Sequence, residues 1–441
     1  MTGNMWRRAS DMASSLREWA LRGFLALLDQ GLISGSNFIV AILLARWLTR
    51  SEYGAYALAF EVFLFMSIIY SSLVLEPMSV FGPSLYHQDL RGYMNILLRI
   101  HFVISAVFAA LAFAAFVVLR RFDPASSLPL ACVGVGVAAP CVLLFWLARR
   151  GFYVLLNPQK AVWGACAYSA VMLAGLVVVY RLRLLSPLAA FLLMAAGAGI
   201  AAPAMLVWFK HHTPSSTVPR LVFNDVLSRH WRYGCWALGS ATAIWLSGSI
   251  YYPLLGTFFN LGEAGNFKAL MNLASPVGQV FVAASLLSLP YASRAEQQSG
   301  RRNRNHLAWK LTGLYVAGTS AYWAVLLALR HPIVHRLYGG KYPQVIELLP
   351  WLALGSILRI GATSQSIMLR AMNRPDLVFV AYVAACVVTI IGGIPAARWF
   401  GIAGAVTIWI VASGVAFVAG AFAVQRRYIQ SEPPAAAAPS S

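Results

Sequence analysis

The sequence predicts an all-α, polytopic membrane protein of about twelve transmembrane helices, built as two pseudo-symmetric six-helix bundles. Three observations carry this. Charged residues fill only 11% of the 441 positions and hydrophobic ones 60%, whereas a soluble domain keeps about a quarter of its residues charged. Apolar runs of about 20 residues, the length needed to cross hydrocarbon, recur along the chain. The chain also matches itself at one offset of 211 residues.

The apolar runs lie near 24–48, 54–82, 96–119, 128–148, 161–180 and 184–209, and again near 235–259, 267–291, 307–329, 345–369, 377–397 and 401–424. They divide the chain into a basic amphipathic segment (1–23), a first bundle (24–209), a linker (210–232), a second bundle (233–425) and a disordered tail (426–441). The N-terminal segment, with Arg7, Arg8, Arg17 and Arg22, reads as a lead-in to the first span and not as a cleavable signal peptide. In the linker, Val222-Phe223, Val226-Leu227 and His230-Trp231 share one side of a helix, as in a helix lying on a membrane surface.

The self-match is seen residue by residue. Leu16, Gly23 and Ser36 meet Leu227, Gly234 and Ser247, and Leu43-Leu44 meet Leu254-Leu255. Glu52, Gly54 and Tyr56 meet Glu263, Gly265 and Phe267, so both halves carry E-x-G-x-[YF] after their first span. Arg99 meets Lys310, and Asn157-Pro158 corresponds to Asn373-Arg374-Pro375. Six spans per half gives both halves the same orientation, as in transporters with parallel repeats.

The formal charge of +20 would suggest nucleic acid in a soluble chain; in a membrane chain, position decides against it. With the N-terminus inside, 22 of the 34 Lys and Arg residues fall on inner loops and 11, Lys268 among them, on outer ones, leaving Arg359 within a span. That bias puts both termini in the cytoplasm. The cluster Arg301-Arg302-Asn303-Arg304 reads as an anchor on anionic membrane lipids.

The five cysteines all lie in apolar runs without a CxxC, and His331 and His335 stand alone at an outer helix end, so neither disulfide, metal nor cofactor is expected. No nucleophile elbow, phosphate-binding glycine loop or H-E-x-x-H is present, and no loop is long enough for a catalytic domain, so an enzyme is not expected.

Polar groups within hydrocarbon cost several kcal/mol and normally face a cavity or a partner. The first span places Gln30, Ser34 and Asn37 on one stripe and Asp29 with Ser36 on a neighbouring one; the second carries Glu61 and Glu76 within one arc. The seventh aligns Trp245, Ser249 and Tyr252, and the tenth aligns Ser356, Arg359, Thr363 and Ser366. Together they describe a hydrated cavity in which Arg359, Asn37, Ser34, Gln30, Trp245, Tyr252 and Thr363 are candidate substrate contacts and Asp29, Glu61 and Glu76 candidate coupling carboxylates. The alternative for each is ordinary helix–helix glue or local pairing; for Glu76 it is relief of backbone freed by Pro77.

Four stretches carry a family resemblance: DQGLISGSNFIVAILLARWLTRSEYGAY (29–56), LEPMSVFG (75–82), RRGFYVLLNP (149–158) and RHWRYGCWALG (229–239). They resemble the polysaccharide (O-antigen and exopolysaccharide) flippases of the multidrug/oligosaccharidyl-lipid/polysaccharide exporter superfamily, which also holds the multidrug-and-toxin-extrusion antiporters and the lipid II flippase. The resemblance implies passage of an undecaprenyl-pyrophosphate-linked oligosaccharide across a bacterial inner membrane, with Arg359 the position matched by depth to a pyrophosphate contact. It further implies a monomer working beside a polysaccharide polymerase and a chain-length regulator. The two extra spans of lipid II flippases are missing. The competing reading is a cation- or proton-coupled small-molecule or drug antiporter of the same fold, using the three carboxylates. An O-antigen ligase or polymerase needs a larger outer loop than 330–344.

Overall fold

The computed structural model describes residues 2–213, 221–281, 284, 285, 288, 292, 301–372 and 374–430. Part of the linker with Arg220, the end of the eighth expected span, Arg294 and the tail beyond Gln430 lie outside the described residues. Among the described residues the chain is helical, without a strand. Among the described residues, nine helical stretches are long and apolar enough to cross a bilayer. The last, Asp376–Arg426, has 51 residues, enough for two crossings, and kinks at Gly401 (φ 59°). The chain is therefore a multi-pass membrane protein.

The first six expected spans are all present. Helix α1 (Thr2–Trp47) joins the basic N-terminal stretch and the first span in one run of 46 residues. The second span is α2 (Arg50–Tyr70), a π-helical turn (Ser71–Leu75) and α3 (Glu76–Ser84). Then come α4 (Leu90–Phe122), α5 (Leu128–Val154), α6 (Pro158–Arg181) and α7 (Pro187–His212). Their starts are readable: Asp89 caps α4 by accepting from the Gly92 N–H at 2.8 Å, Ser186 caps α7 by accepting from the Ala189 N–H, and α5, α6 and α7 each have proline in the first turn. Helix α5 packs against α4 and α7, and α6 against α1 and α7.

The π-turn has a local cause. Pro77 has no N–H to donate to the carbonyl of Leu73, four residues earlier, and its ring crowds that carbonyl. The freed oxygen is taken up by His230 Nδ1 at 2.9 Å. His230 belongs to α8 (Phe223–Ser249), whose first turns press onto the π-turn. Gly234 makes the approach feasible: a Cβ there would sit 2.6 Å from the Ser72 carbonyl oxygen. Glu76, weighed from the sequence as the group relieving this backbone, is exposed, and the His230 imidazole is what meets the Leu73 carbonyl.

The chain forms two compact units, one holding the chain up to Leu48 with Leu58–Gly239, the other Thr49–Ala57 with the chain from Ser240 onward. These bounds differ from a division in the linker. The start of α8 packs in the first unit through Val226 and His230, which are buried while Leu227 and Trp231 remain exposed.

The second unit contains the end of α8, α9 (Tyr251–Phe258), α10 (Leu261–Asn272), α11 (Arg301–Ala328), α12 (Arg330–Tyr338), α13 (Pro343–Ala371) and α14 (Pro375–Gln430). The seventh expected span is interrupted at Ile250, between α8 and α9, and helix persists to Gln430 where a disordered tail was expected from 426. Phe281, Tyr315, Ile360, Met368 and Tyr382 form its core. Gln365 Nε2 donates to Thr312 Oγ1 at 2.8 Å, tying α13 to α11. The strip Thr49–Ala57 is held here by Tyr53, whose hydroxyl accepts from Asn272 Nδ2 at 2.6 Å and whose ring meets Tyr342 edge-on. Gly54 lies so close to α10 that a Cβ would fall 1.6 Å from the Leu261 carbonyl oxygen. The two E-x-G-x-[YF] motifs thus pack glycine to glycine, Gly54 against Gly265.

Candidate functional site

The second unit places Arg359 in the middle of α13, half-buried. Its Nη1 donates to Ser247 Oγ at 3.4 Å, and its guanidinium carbon lies 6.0 Å from the Tyr382 ring centroid. Ser247 is itself anchored, donating to the Ile244 carbonyl at 2.8 Å, and its own carbonyl accepts from Thr389 Oγ1. Buried Tyr251 lies near enough for the guanidinium charge to act on its hydroxyl. All these partners are neutral: no carboxylate pairs with Arg359 among the described residues. An arginine stays ionised wherever it is placed, so this wall presents an uncompensated positive charge.

The rest of the tenth-span stripe is drier than expected. Thr363 Oγ1 donates to the Arg359 carbonyl at 3.0 Å and Ser366 Oγ to the Ala362 carbonyl at 2.9 Å, so both hydroxyls are spent on their own helix. Ser356 is buried. Of the seventh-span stripe, Trp245 and Ser249 lie on α8, whereas Tyr252 falls on α9 beyond the break. Tyr252 is engaged elsewhere, its ring edge on Phe267 and under Lys268 Nζ at 5.2 Å. Lys268, assigned to an outer loop from the sequence, is buried on α10 at 9% exposure. The spacing signal for it was the repeat, which aligns it with Ala57 inside a span and not in a loop.

In the first unit the expected cavity carboxylate Asp29 is fully buried, and its Oδ2 accepts from both Arg149 Nη2 and the Tyr153 hydroxyl. It is a buried, paired group within its own unit and not a carboxylate displayed to water. The reason lies in α5: Arg149 and Tyr153 are one helical turn apart and converge on one oxygen. Sequence reading missed both by counting Arg149 as a loop cation, although RRGFYVLLNP displays the spacing. Gln30 Nε2 donates to Ser34 Oγ at 3.1 Å along the same helix, while Ser169 Oγ donates to Ser36 Oγ at 3.1 Å, joining α6 to α1. Asn37 is exposed, Glu61 is buried, and Glu76 is exposed with its charge acting on Arg150. The structure therefore gathers the candidates into two separate groups, Asp29 with Arg149 and Tyr153, and Arg359 with Ser247, Tyr251 and Tyr382.

No family model and no curated protein matches the chain. Solved structures do. An inward-facing multidrug resistance MATE family transporter of the MOP superfamily superposes with TM-score 0.75 at 12% identity, over 91% of this chain and 95% of that one. An outward-facing form gives 0.67 at 12% identity, over 93% and 96%. A MOP superfamily transporter from Pyrococcus furiosus, described as having a binding pocket of reverse polarity that suggests a different function, gives 0.66 at 13% identity over 93% and 95%. At such identities the likeness is one of fold: this chain has the all-helical architecture of the MATE transporters of the MOP superfamily.

Proposed function

We propose that the chain is a membrane transporter for a phosphate-bearing anion, in its most specific form the undecaprenyl-pyrophosphate-linked oligosaccharide of surface or exopolysaccharide assembly, in a bacterial inner membrane with both termini cytoplasmic. The observation that carries this reading is Arg359, an arginine within a spanning helix whose partners among the described residues are all neutral. A pyrophosphate suits its planar, forked donors, since bidentate guanidinium–phosphate pairs are among the stronger hydrogen-bonded contacts. The pairing of Asp29 with Arg149 supports it from the other side, because a compensated carboxylate is a weak site for a cationic drug. Family resemblance in the 29–56 and 149–158 stretches adds to it.

A second reading has its own support. The solved structures of this fold include multidrug resistance transporters, and that likeness favours a cation- or proton-coupled small-molecule antiporter over a glycolipid flippase. In that case Asp29, Glu61 and Glu76 are the coupling candidates, and Arg359 a structural group. One experiment separates the two. The purified chain in proteoliposomes is given a fluorescent undecaprenyl-pyrophosphate oligosaccharide, and, separately, ethidium under a sodium or proton gradient. Translocation of the glycolipid that is lost in Arg359→Ala supports the first reading. Gradient-driven ethidium movement that survives Arg359→Ala and fails in Asp29→Asn supports the second.

A further inference from the structure

Gly248 stands next to last in α8, and neither the backbone nor the packing there requires glycine. Its φ is not in the left-handed region, which among the described glycines holds Gly339, Gly340 and Gly401. No helix presses on it as one does at Gly54, Gly234 and Gly265, where an added Cβ would fall 2.6 Å or less from a carbonyl oxygen. Among the described residues, a Cβ at Gly248 would meet one atom within 4 Å, Arg359 Nη2 at 3.9 Å. Gly31, Gly35 and Gly199 are as open, but nothing borders their space. Glycine is disfavoured in a helix relative to alanine, so the missing side chain at 248 calls for another cause.

The space it leaves is bounded by the guanidinium. Ser247 Oγ accepts from Nη1 and is pinned by its own bond to the Ile244 carbonyl, while the Tyr382 ring flanks the guanidinium carbon. A guanidinium carries five N–H donors. Nη2 and Nε have no hydrogen-bond partner among the described residues, and neither is sealed from open space. An oxygen accepting from Nη2 in a charge-assisted bond lies about 2.8 Å from it. On the α8 side, that position falls within the volume a side chain at 248 would occupy. Glycine is the residue that lets a ligand come so close to helix backbone.

We infer that Gly248 keeps open a notch before Arg359 in which an oxyanion of the substrate binds, so that residue 248 determines which anions the site admits. This rests on the phosphate-bearing substrate proposed above and adds α8 to its binding site. A free pyrophosphate, a lipid-linked one and a phospholipid headgroup share the chemistry, and the test keeps them apart.

The full-length Gly248→Cys protein in phosphatidylcholine proteoliposomes is treated with two thiol reagents of like size, one a sulfonate and one a trimethylammonium. Modification at position 248 is read by mass spectrometry. The sulfonate should react about fivefold faster, and Arg359→Gln should remove that preference. Inorganic pyrophosphate should slow the labelling, and undecaprenyl-pyrophosphate oligosaccharide should do so at lower concentration. Exchanging phosphatidylcholine for phosphatidylglycerol should not. In transport, Gly248→Leu should lower glycolipid movement at least about tenfold with its melting temperature held, since the side chain enters open space.

Equal labelling by both reagents, a preference that survives Arg359→Gln, or no labelling of the folded protein would each overturn the inference. Protection by neither pyrophosphate, or equal protection by phosphatidylglycerol, would do the same. Glycolipid movement lost in Arg359→Ala yet undiminished in Gly248→Leu would leave Arg359 its role and remove that of Gly248. Charge-selective labelling with pyrophosphate protection but no glycolipid movement would uphold the notch and end the flippase reading.

Discussion

His230 Nδ1 lies 2.9 Å from the carbonyl oxygen of Leu73, the acceptor that Pro77 leaves without a helical donor. A carbonyl only accepts, so Nδ1 carries the proton, and Nε2 accepts from the Tyr93 hydroxyl at 2.6 Å. One imidazole thereby satisfies a backbone group on the π-turn and a side chain on α4. His230→Ala should lower thermal stability by about 1–3 kcal/mol, the cost of a buried acceptor left bare. Pro77→Ala in the same background restores an N–H to the helix and should recover part of the loss. Unfolding midpoints of the three proteins in detergent check this, and equal midpoints for the single and double variants would defeat it.

The same contact fixes a pH dependence. Burial lowers the His230 pKa below its ordinary 6.5, and the Leu73 hydrogen bond offsets only part of that. The native state therefore holds this imidazole neutral where the unfolded chain would protonate it, and stability rises with pH through that window. The contribution is complete above about pH 6.5 and falls away below it. The Tyr93 hydroxyl donates to this ring, the Tyr86 ring stacks on Tyr93, and the exposed Asp225–Arg229 pair belongs to the same helix. Wild-type melting temperature should drop between pH 7 and 5 more steeply than that of His230→Gln.

Asp29 and Arg149 give a prediction that bears on coupling. Removing one partner of a buried ion pair costs about 3–5 kcal/mol because the other charge is stranded. Asp29→Asn and Arg149→Gln should each destabilise the protein, and the combination should be milder than either. Should Asp29→Asn instead keep full stability and abolish gradient-driven transport, the carboxylate would be a coupling group.

Arg359→Ala should reduce transport of a phosphate-bearing substrate at least tenfold, the loss of a charge-assisted contact of about 1.5–3 kcal/mol. Expression and melting temperature should hold, since no ion pair is broken. Arg359→Lys should recover activity in part, because a point charge lacks the fork. Unchanged initial rates in the alanine protein would sink the assignment.

Gly54→Ala tests the motif that recurs in both halves. With a Cβ placed 1.6 Å from the Leu261 carbonyl oxygen, the strip cannot seat against α10, and folded yield should collapse. Gly35→Ala, where nothing lies within 4 Å, should be tolerated or mildly stabilising.

The spans were legible because length and hydropathy are properties of each segment alone, and the first six lie where the apolar runs put them. What the sequence hid depends on partners distant in the chain. Asp29 reads as a free carboxylate until α5 brings Arg149 and Tyr153 to it across more than a hundred residues. Thr363 and Ser366 look like a wet stripe by angle, yet hydroxyls on a helix can satisfy themselves on the turn below. Lys268 was placed in a loop because a lysine marks a boundary in hydropathy, whereas Tyr252 accommodates its ammonium in the interior. The place of Arg359 within a spanning helix is readable from the sequence, because it stands deep in an apolar run.

The strip Thr49–Ala57 and the opening turns of α8 each fold away from the half of the gene that encodes them. A polypeptide severed in the 214–220 linker would yield one piece lacking the imidazole that covers the Leu73 carbonyl and another lacking the tyrosine that holds Asn272. Each piece would thus lack one contact that its own compact unit uses, so separate expression should give less folded protein than co-expression.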